Sequence, residues 1–176
     1  EDRVIVPTRT GLSSFCLADG TELLDVDTAN IGWRNGVTIT ERGYVYGDEF
    51  GYLHEVDRNG IVSSTYLGEG KIRHAPLDTR HGLFVHLQTS QGSTMYLNGS
   101  NIGTMGASPA MPLLHNDRIY AATSDEWISI SCDAQSCSVD SIEPFHSNGE
   151  LALRIVDSKL EVWAPSNTPS GGWGVF

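Results

Sequence analysis

Three cysteines, six histidines and one glycosylation sequon carry most of the chemistry available to this 176-residue chain. Cys132 and Cys137 are separated by four residues. A loop of that length between facing strand positions brings two Cβ atoms near the roughly 3.8 Å that a disulfide requires. The pair is read as a cross-turn disulfide, ahead of free thiols or a metal site. Cys-x4-Cys would need two further ligands for a metal, and no His or Cys lies nearby in sequence. A disulfide implies an oxidising compartment. Cys16, between Phe15 and Leu17, reads as a small buried apolar residue. Asn98-Gly99-Ser100 is a candidate glycosylation acceptor in an expected turn, compatible with secretion.

The remaining candidates are weaker. The six histidines (His54, His74, His81, His86, His115 and His146) form no spaced set with carboxylates that suggests metal ligation. Asp25-Val26-Asp27-Thr28-Ala29-Asn30 begins as a Ca²⁺ loop would, but Asn30 and Gly36 stand where the required Gly and Glu belong. A solvated loop is the reading there. No Gly-x-Ser-x-Gly, phosphate-binding loop or Cys–His nucleophile pattern occurs. The sequence therefore predicts no catalytic residue, no cofactor and no metal. Trp33-Arg34 and Arg73-His74 stand out as aromatic–cation combinations in expected connections, the kind of residues that anchor interfaces. Trp33 has a competing reading as a plug on the end of the core.

Eleven Lys+Arg face 22 Asp+Glu, a formal net charge of −11, which argues against wrapping nucleic acid. No apolar run approaches the roughly 20 residues of a membrane-spanning helix.

These residues must be positioned by strands. Short runs rich in Val, Ile, Tyr and Leu, such as Val4-Ile5-Val6, Tyr44-Val45-Tyr46 and Leu83-Phe84-Val85, recur between Gly, Asn and Asp clusters. Anchors at Ile5, Val45, Phe84, Tyr120 and Glu161 are 40, 39, 36 and 41 residues apart. Turn signals keep step with them at Gly11, Gly51, Gly92 and Glu126, and again at Asp19-Gly20, Asn59-Gly60, Asn98-Gly99 and Asp133-Ala134-Gln135. Further strand-like segments lie between, at 36–39, 73–77, 108–113 and 151–154, so one period holds about four strands. The class is all-β. A period near 40 with four strands is that of a β-propeller of four-stranded antiparallel blades, here four blades plus a partial one. Units run approximately over 3–40, 41–79, 80–115, 116–156 and 157–176. His74 falls in an expected innermost strand. The chain reads as an arc of a larger propeller, or as a small ring closed by pairing of its ends. A β-sandwich is the competing architecture.

The segment Gly43–Asp57 with Asn59-Gly60 resembles the repeat of quinoprotein-like (PQQ-like) propellers: a hydrophobic strand, a Gly turn, a G-x-L strand ending near Asp, and a second Gly turn. Ser108-Pro109-Ala110, leading through Asn116-Asp117 into Arg118-Ile119-Tyr120, is similar to that family's approach to its next blade. The docking-motif Trp of the quinone-binding enzymes is absent from the matching strands 23–25, 61–63 and 102–104, and so are their vicinal cysteines. The resemblance therefore implies the fold and a non-catalytic scaffold, not the cofactor. The expected function is an extracytoplasmic interaction or scaffold module of a cell-surface or envelope assembly, secreted, periplasmic or surface-bound. Its partner is a protein or a second copy. One alternative is a glycan- or small-ligand-binding propeller with Trp127, Trp163 and Trp173 as stacking platforms. The other is a fragment of a quinone- or metal-dependent enzyme.

Overall fold

The structure, a computed structural model, describes residues 2–28, 35–107, 111–123, 126–133, 136–144, 152–157, 159–166 and 172–175. Trp33 and Arg34 lie outside these residues. Every regular element among them is a strand, and the strands form five antiparallel sheets in chain order.

The first sheet is β1 (Arg3–Pro7), β2 (Gly11–Cys16) and β3 (Glu22–Asp27). The second is β4 (Val37–Ile39), β5 (Gly43–Gly47), β6 (Tyr52–Asp57) and β7 (Val62–Tyr66). The third is β8 (Leu77–Thr79), β9 (Gly82–Thr89), β10 (Gly92–Leu97) and β11 (Ser100–Met105). The fourth is β12 (Leu113–His115), β13 (Arg118–Ala122), β14 (Glu126–Cys132) and β15 (Cys137–Pro144). The fifth is β16 (Ala152–Val156), β17 (Lys159–Ser166) and β18 (Gly172–Val175). The five repeat anchors fall in β1, β5, β9, β13 and β17, the equivalent strand each time.

Turn chemistry explains why the meanders form. Asn98 and Gly99, with φ of 48° and 75°, make the two-residue turn between β10 and β11. Both residues need the left-handed backbone that a tight hairpin demands. Asp57 Oδ1 accepts the amides of Asn59 and Ile61 at 2.8 Å each, which shapes the β6–β7 loop. Gly11 has a different reason to be glycine. A Cβ there would sit 1.7 Å from the Val26 carbonyl oxygen of the neighbouring strand.

Successive sheets pack face to face through alternating side chains. Tyr44, Tyr46 and Val56 of the second sheet meet Leu12 and Val26 of the first. Val45 and Leu53, on the opposite face, meet Val85, Leu87 and Tyr96 of the third. Phe84, Met95 and Met105 of the third then meet Ile119, Ala121, Ile128 and Ile130 of the fourth. With apolar partners on both faces, β5 is buried at all five positions. That explains its unbroken Gly-Tyr-Val-Tyr-Gly, where a strand with one wet face would alternate.

Three expectations need correction. The segment 73–77 is not an inner strand, since β8 starts only at Leu77. Lys71 already pairs with Gln88 of β9 through both backbone bonds (2.9 and 2.8 Å), and Pro76 has no amide to add to a ladder. Residues 67–76 are thus a connector, anchored by fully buried Ile72, whose amide donates to the Asp48 carbonyl at 2.8 Å. Likewise β12 starts at Leu113, so Met111 and Pro112 of the expected segment 108–113 stand before it, and 108–110 lie outside the described residues. Asp25 and Asp27, read as part of a loop, lie in β3, and Asp25 Oδ1 accepts the Ser13 hydroxyl at 2.9 Å.

Candidate functional site

Polar side chains are drawn together most tightly on the second sheet. The turn from β5 to β6 places Asp48, fully buried, against its own backbone: Oδ1 accepts the amides of Phe50 and Tyr52, each at 2.8 Å. Its other oxygen, Oδ2, lies 3.2 Å from Nε2 of His54, which is 2% exposed. On the far side of the ring, His54 Nδ1 is 2.8 Å from the Ser64 hydroxyl on β7. A carboxylate can only accept, so Nε2 carries a proton, and the Nδ1 of a neutral ring then accepts from the hydroxyl. His54 and Ser64 are ladder partners. Ladder bonds at the ends of this strand pair (Asp57 amide to Ile61 carbonyl, Leu67 amide to Gly51 carbonyl, both 3.0 Å) put His54 and Ser64 at a non-hydrogen-bonded position. Side chains stand closest there.

In form this is the hydroxyl–imidazole–carboxylate chain of nucleophilic catalysis. Acyl transfer also needs a concave place for substrate and donors for an oxyanion. Ser64 stands on an outer strand with all five of its residues exposed, and neither of the two described cavities includes it. What the relay does in this structure is bind the turn, β6 and β7 into one unit.

That unit carries an aromatic face. Tyr52 and Tyr66, 39% and 52% exposed, lie with ring centroids 5.0 Å apart, and Tyr52 also stacks over His54 at 6.3 Å. Beneath them buried Tyr46 bonds Thr28 (2.9 Å between the hydroxyl oxygens). Burial raises the Tyr46 pKa above the usual phenol range.

Of the interface anchors expected from sequence, Arg73 and His74 sit in the connector between the second and third sheets. Arg73 makes a bidentate pair with Glu49 (2.8 and 3.0 Å), and Lys71 joins it at 3.1 Å. The Arg73 hydrogen bond leads in holding the Glu49 carboxyl below its ordinary range. The His74 ring lies 4.9 Å from that of His86, a buried residue with no hydrogen-bond partner on either nitrogen. Burial first, and the neighbouring His74 second, push His86 down to about 3.

Cys132 and Cys137 are ladder partners in the β14–β15 hairpin, with Cα atoms 4.0 Å and sulfurs 2.06 Å apart, a disulfide. Cys16 is free and half-buried at the end of β2. Asn98 is exposed, and its side chain is already engaged: Nδ2 donates to the His81 carbonyl (2.8 Å) and Oδ1 accepts the Leu83 amide (3.1 Å). The tryptophans proposed as stacking platforms are divided between two sheets. Trp127 of the fourth lies on Tyr120 at 5.3 Å, whereas Trp163 and Trp173 belong to the fifth.

A cleft of about 730 Å³ opens between the second and third sheets. Val45, Leu53 and Leu83 line it, with the charged groups of Arg42, Glu55 and Asp78 around it. Sequence reading missed both this cleft and the Asp48–His54–Ser64 relay. Asp48 and His54 are six residues apart, and only folding the turn back on itself brings them together.

Among the described residues no cluster of three or more His, Cys, Asp or Glu side chains is arranged to hold a metal, and no helix is long and apolar enough to cross a membrane. No family model matches this chain, and no curated protein matches it.

Proposed function

We propose that this chain is a propeller-type scaffold module of the PQQ-like repeat class, working outside the cytoplasm and engaging proteins through the outer edge of its second sheet. The observation that carries this reading is β7: five exposed residues without a charge or a proline, tied to β6 in an unshifted ladder and open on one side. Such an edge offers free backbone donors and acceptors to an added strand. A repeat of about 40 residues, with the first four sheets packed each on the next, supports the propeller. A disulfide in the fourth sheet supports the oxidising location.

The test is proximity labelling from the chain in its native envelope, comparing the wild type with Val62→Asp, which places a charge on the open edge. Neighbours recovered by the wild type and lost by the variant support the assignment. Identical recovery rejects it. The cleft beside Arg42, Glu55 and Asp78 favours a second reading, small-ligand or glycan binding, since its volume falls in the range of ligand pockets. A glycan array that stays at background excludes the glycan form of that reading.

A further inference from the structure

We infer that the partner of β7 is β7 of a second copy of this chain, paired antiparallel about a two-fold axis at Ser64; this rests on the reading of that edge as the docking surface.

The argument starts from backbone direction. The Asp57–Ile61 and Gly51–Leu67 ladder bonds fix the alternation along β6 and β7. Ser63 and Thr65 then direct their amides and carbonyls at β6, and Val62, Ser64 and Tyr66 direct theirs at the open side. Those three positions are symmetric about Ser64. Antiparallel pairing there sets Ser64 opposite Ser64, and Val62 opposite Tyr66 twice, with about six backbone hydrogen bonds. The side-chain pairs match as well. Val62 with Tyr66 is a β-branched–aromatic pair, and Ser63 with Thr65 is a hydroxyl pair, both favourable across strands.

Sequence around the strand removes the usual defences against such pairing. Residues 59–68, Asn-Gly-Ile-Val-Ser-Ser-Thr-Tyr-Leu-Gly, carry no charge, although the longer run 81–116 carries none either. The ladders between the last two strands of the first, third and fourth sheets each shift register, at Ser14/Phe15, Met95/Tyr96 and Ser129/Ile130, whereas the β17–β18 ladder of the fifth does not. The β6–β7 ladder does not shift either. Bulges and charges are how natural edges avoid one another, and β7 has neither. A strand this short buries well under the roughly 1,600 Å² of a standard interface, so the dimer is a weak one, in the micromolar range or above.

The test is register-specific cross-linking of the full chain. Facing residues of a hydrogen-bonded antiparallel pair lie about 5.5 Å apart at Cα, within disulfide reach. In a Cys16→Ser background, mild oxidation of Ser64→Cys is expected to give a covalent dimer. Val62→Cys is expected to give none, because its two copies stand four residues, roughly 14 Å, apart. Mixing a Ser63→Cys chain with a Thr65→Cys chain is expected to cross-link as well, and keeps the His54–Ser64 bond intact. Sedimentation of the wild type should show concentration-dependent dimer that Ser63→Lys abolishes. Equal cross-linking of Val62→Cys and Ser64→Cys, or a wild type monomeric up to about 1 mM, overturns the inference. If the chain stays monomeric while proximity labelling still depends on Val62, self-pairing fails and the docking edge stands.

Discussion

His54 uses both ring nitrogens, one on Asp48 and one on Ser64, whereas His86, equally buried, uses neither. Two predictions follow from that contrast. Replacing Asp48 by Ala takes the acceptor from the part-buried amides of Phe50 and Tyr52 and leaves one nitrogen of His54 unpartnered inside the protein. Orphaned buried groups cost about 1–3 kcal/mol each, so Asp48→Ala should lower the unfolding free energy by about 3 kcal/mol or more, measured by urea titration. For His86 the consequence is a pH dependence. Above its ordinary pKa of 6.5 the ring is neutral whether the chain is folded or unfolded. Below that pH the unfolded chain takes up a proton that the folded chain refuses until about pH 3. Protonation of His86 therefore takes little from stability at neutral pH, and it withdraws about 1.4 kcal/mol per pH unit as acidity rises through that window. His86→Leu should flatten the acid limb by that slope in denaturant titrations at pH 4, 5 and 6. An unchanged slope would show that other groups set the acid limb. Neither histidine announced its role in the sequence, because burial and partners come from strand pairing and sheet stacking.

Hairpins are the scale at which the sequence was most readable. Asp19-Gly20, Asn59-Gly60, Asn98-Gly99 and Asp133 all fall between the last two strands of their sheets, since each turn needs a positive φ or an Asp cap that few other residues supply. The short inner strands were less readable. Three residues such as Leu77–Thr79 show no alternation, and Pro76 beside them reads as part of the run until the Lys71–Gln88 pairing is seen. In the fourth sheet the glycine of the sister turns is missing, and the Cys132–Cys137 bridge closes the hairpin. Asp133 assists it, accepting the Ser136 amide at 2.7 Å. A native chain should thus react with thiol reagent once, at Cys16, and three times after reduction and denaturation. Closing so short a loop restricts the unfolded chain by about 2 kcal/mol, so Cys132→Ser with Cys137→Ser should cost that amount. Hydrogen exchange should show the loss concentrated in β14 and β15. A second reactive thiol in the native chain would remove the argument for an oxidising compartment.

At the scale of the molecule, charge and edge pull in opposite directions. Twice as many acidic as basic residues surround a core that stacks sheet on sheet, and the net charge of −11 sets up a general repulsion between two such chains. Meanwhile the run from Asn59 to Gly68 offers a neutral strip through which copies can meet without placing carboxylates face to face. If the contact is made of backbone bonds and Val62–Tyr66 pairs, salt has nothing attractive to screen there and only the general repulsion to weaken. Raising the ionic strength shortens the screening length from about 10 Å at 0.1 M to about 3 Å at 1 M. Dimerisation of the wild type should therefore tighten with added NaCl, by several-fold across that range, in sedimentation equilibrium at fixed pH. An interface built on ion pairs, for instance through Arg73 or Arg80, would loosen instead. Weakening with salt would thus move the contact away from β7 and on to the charged turns at the ends of the sheets.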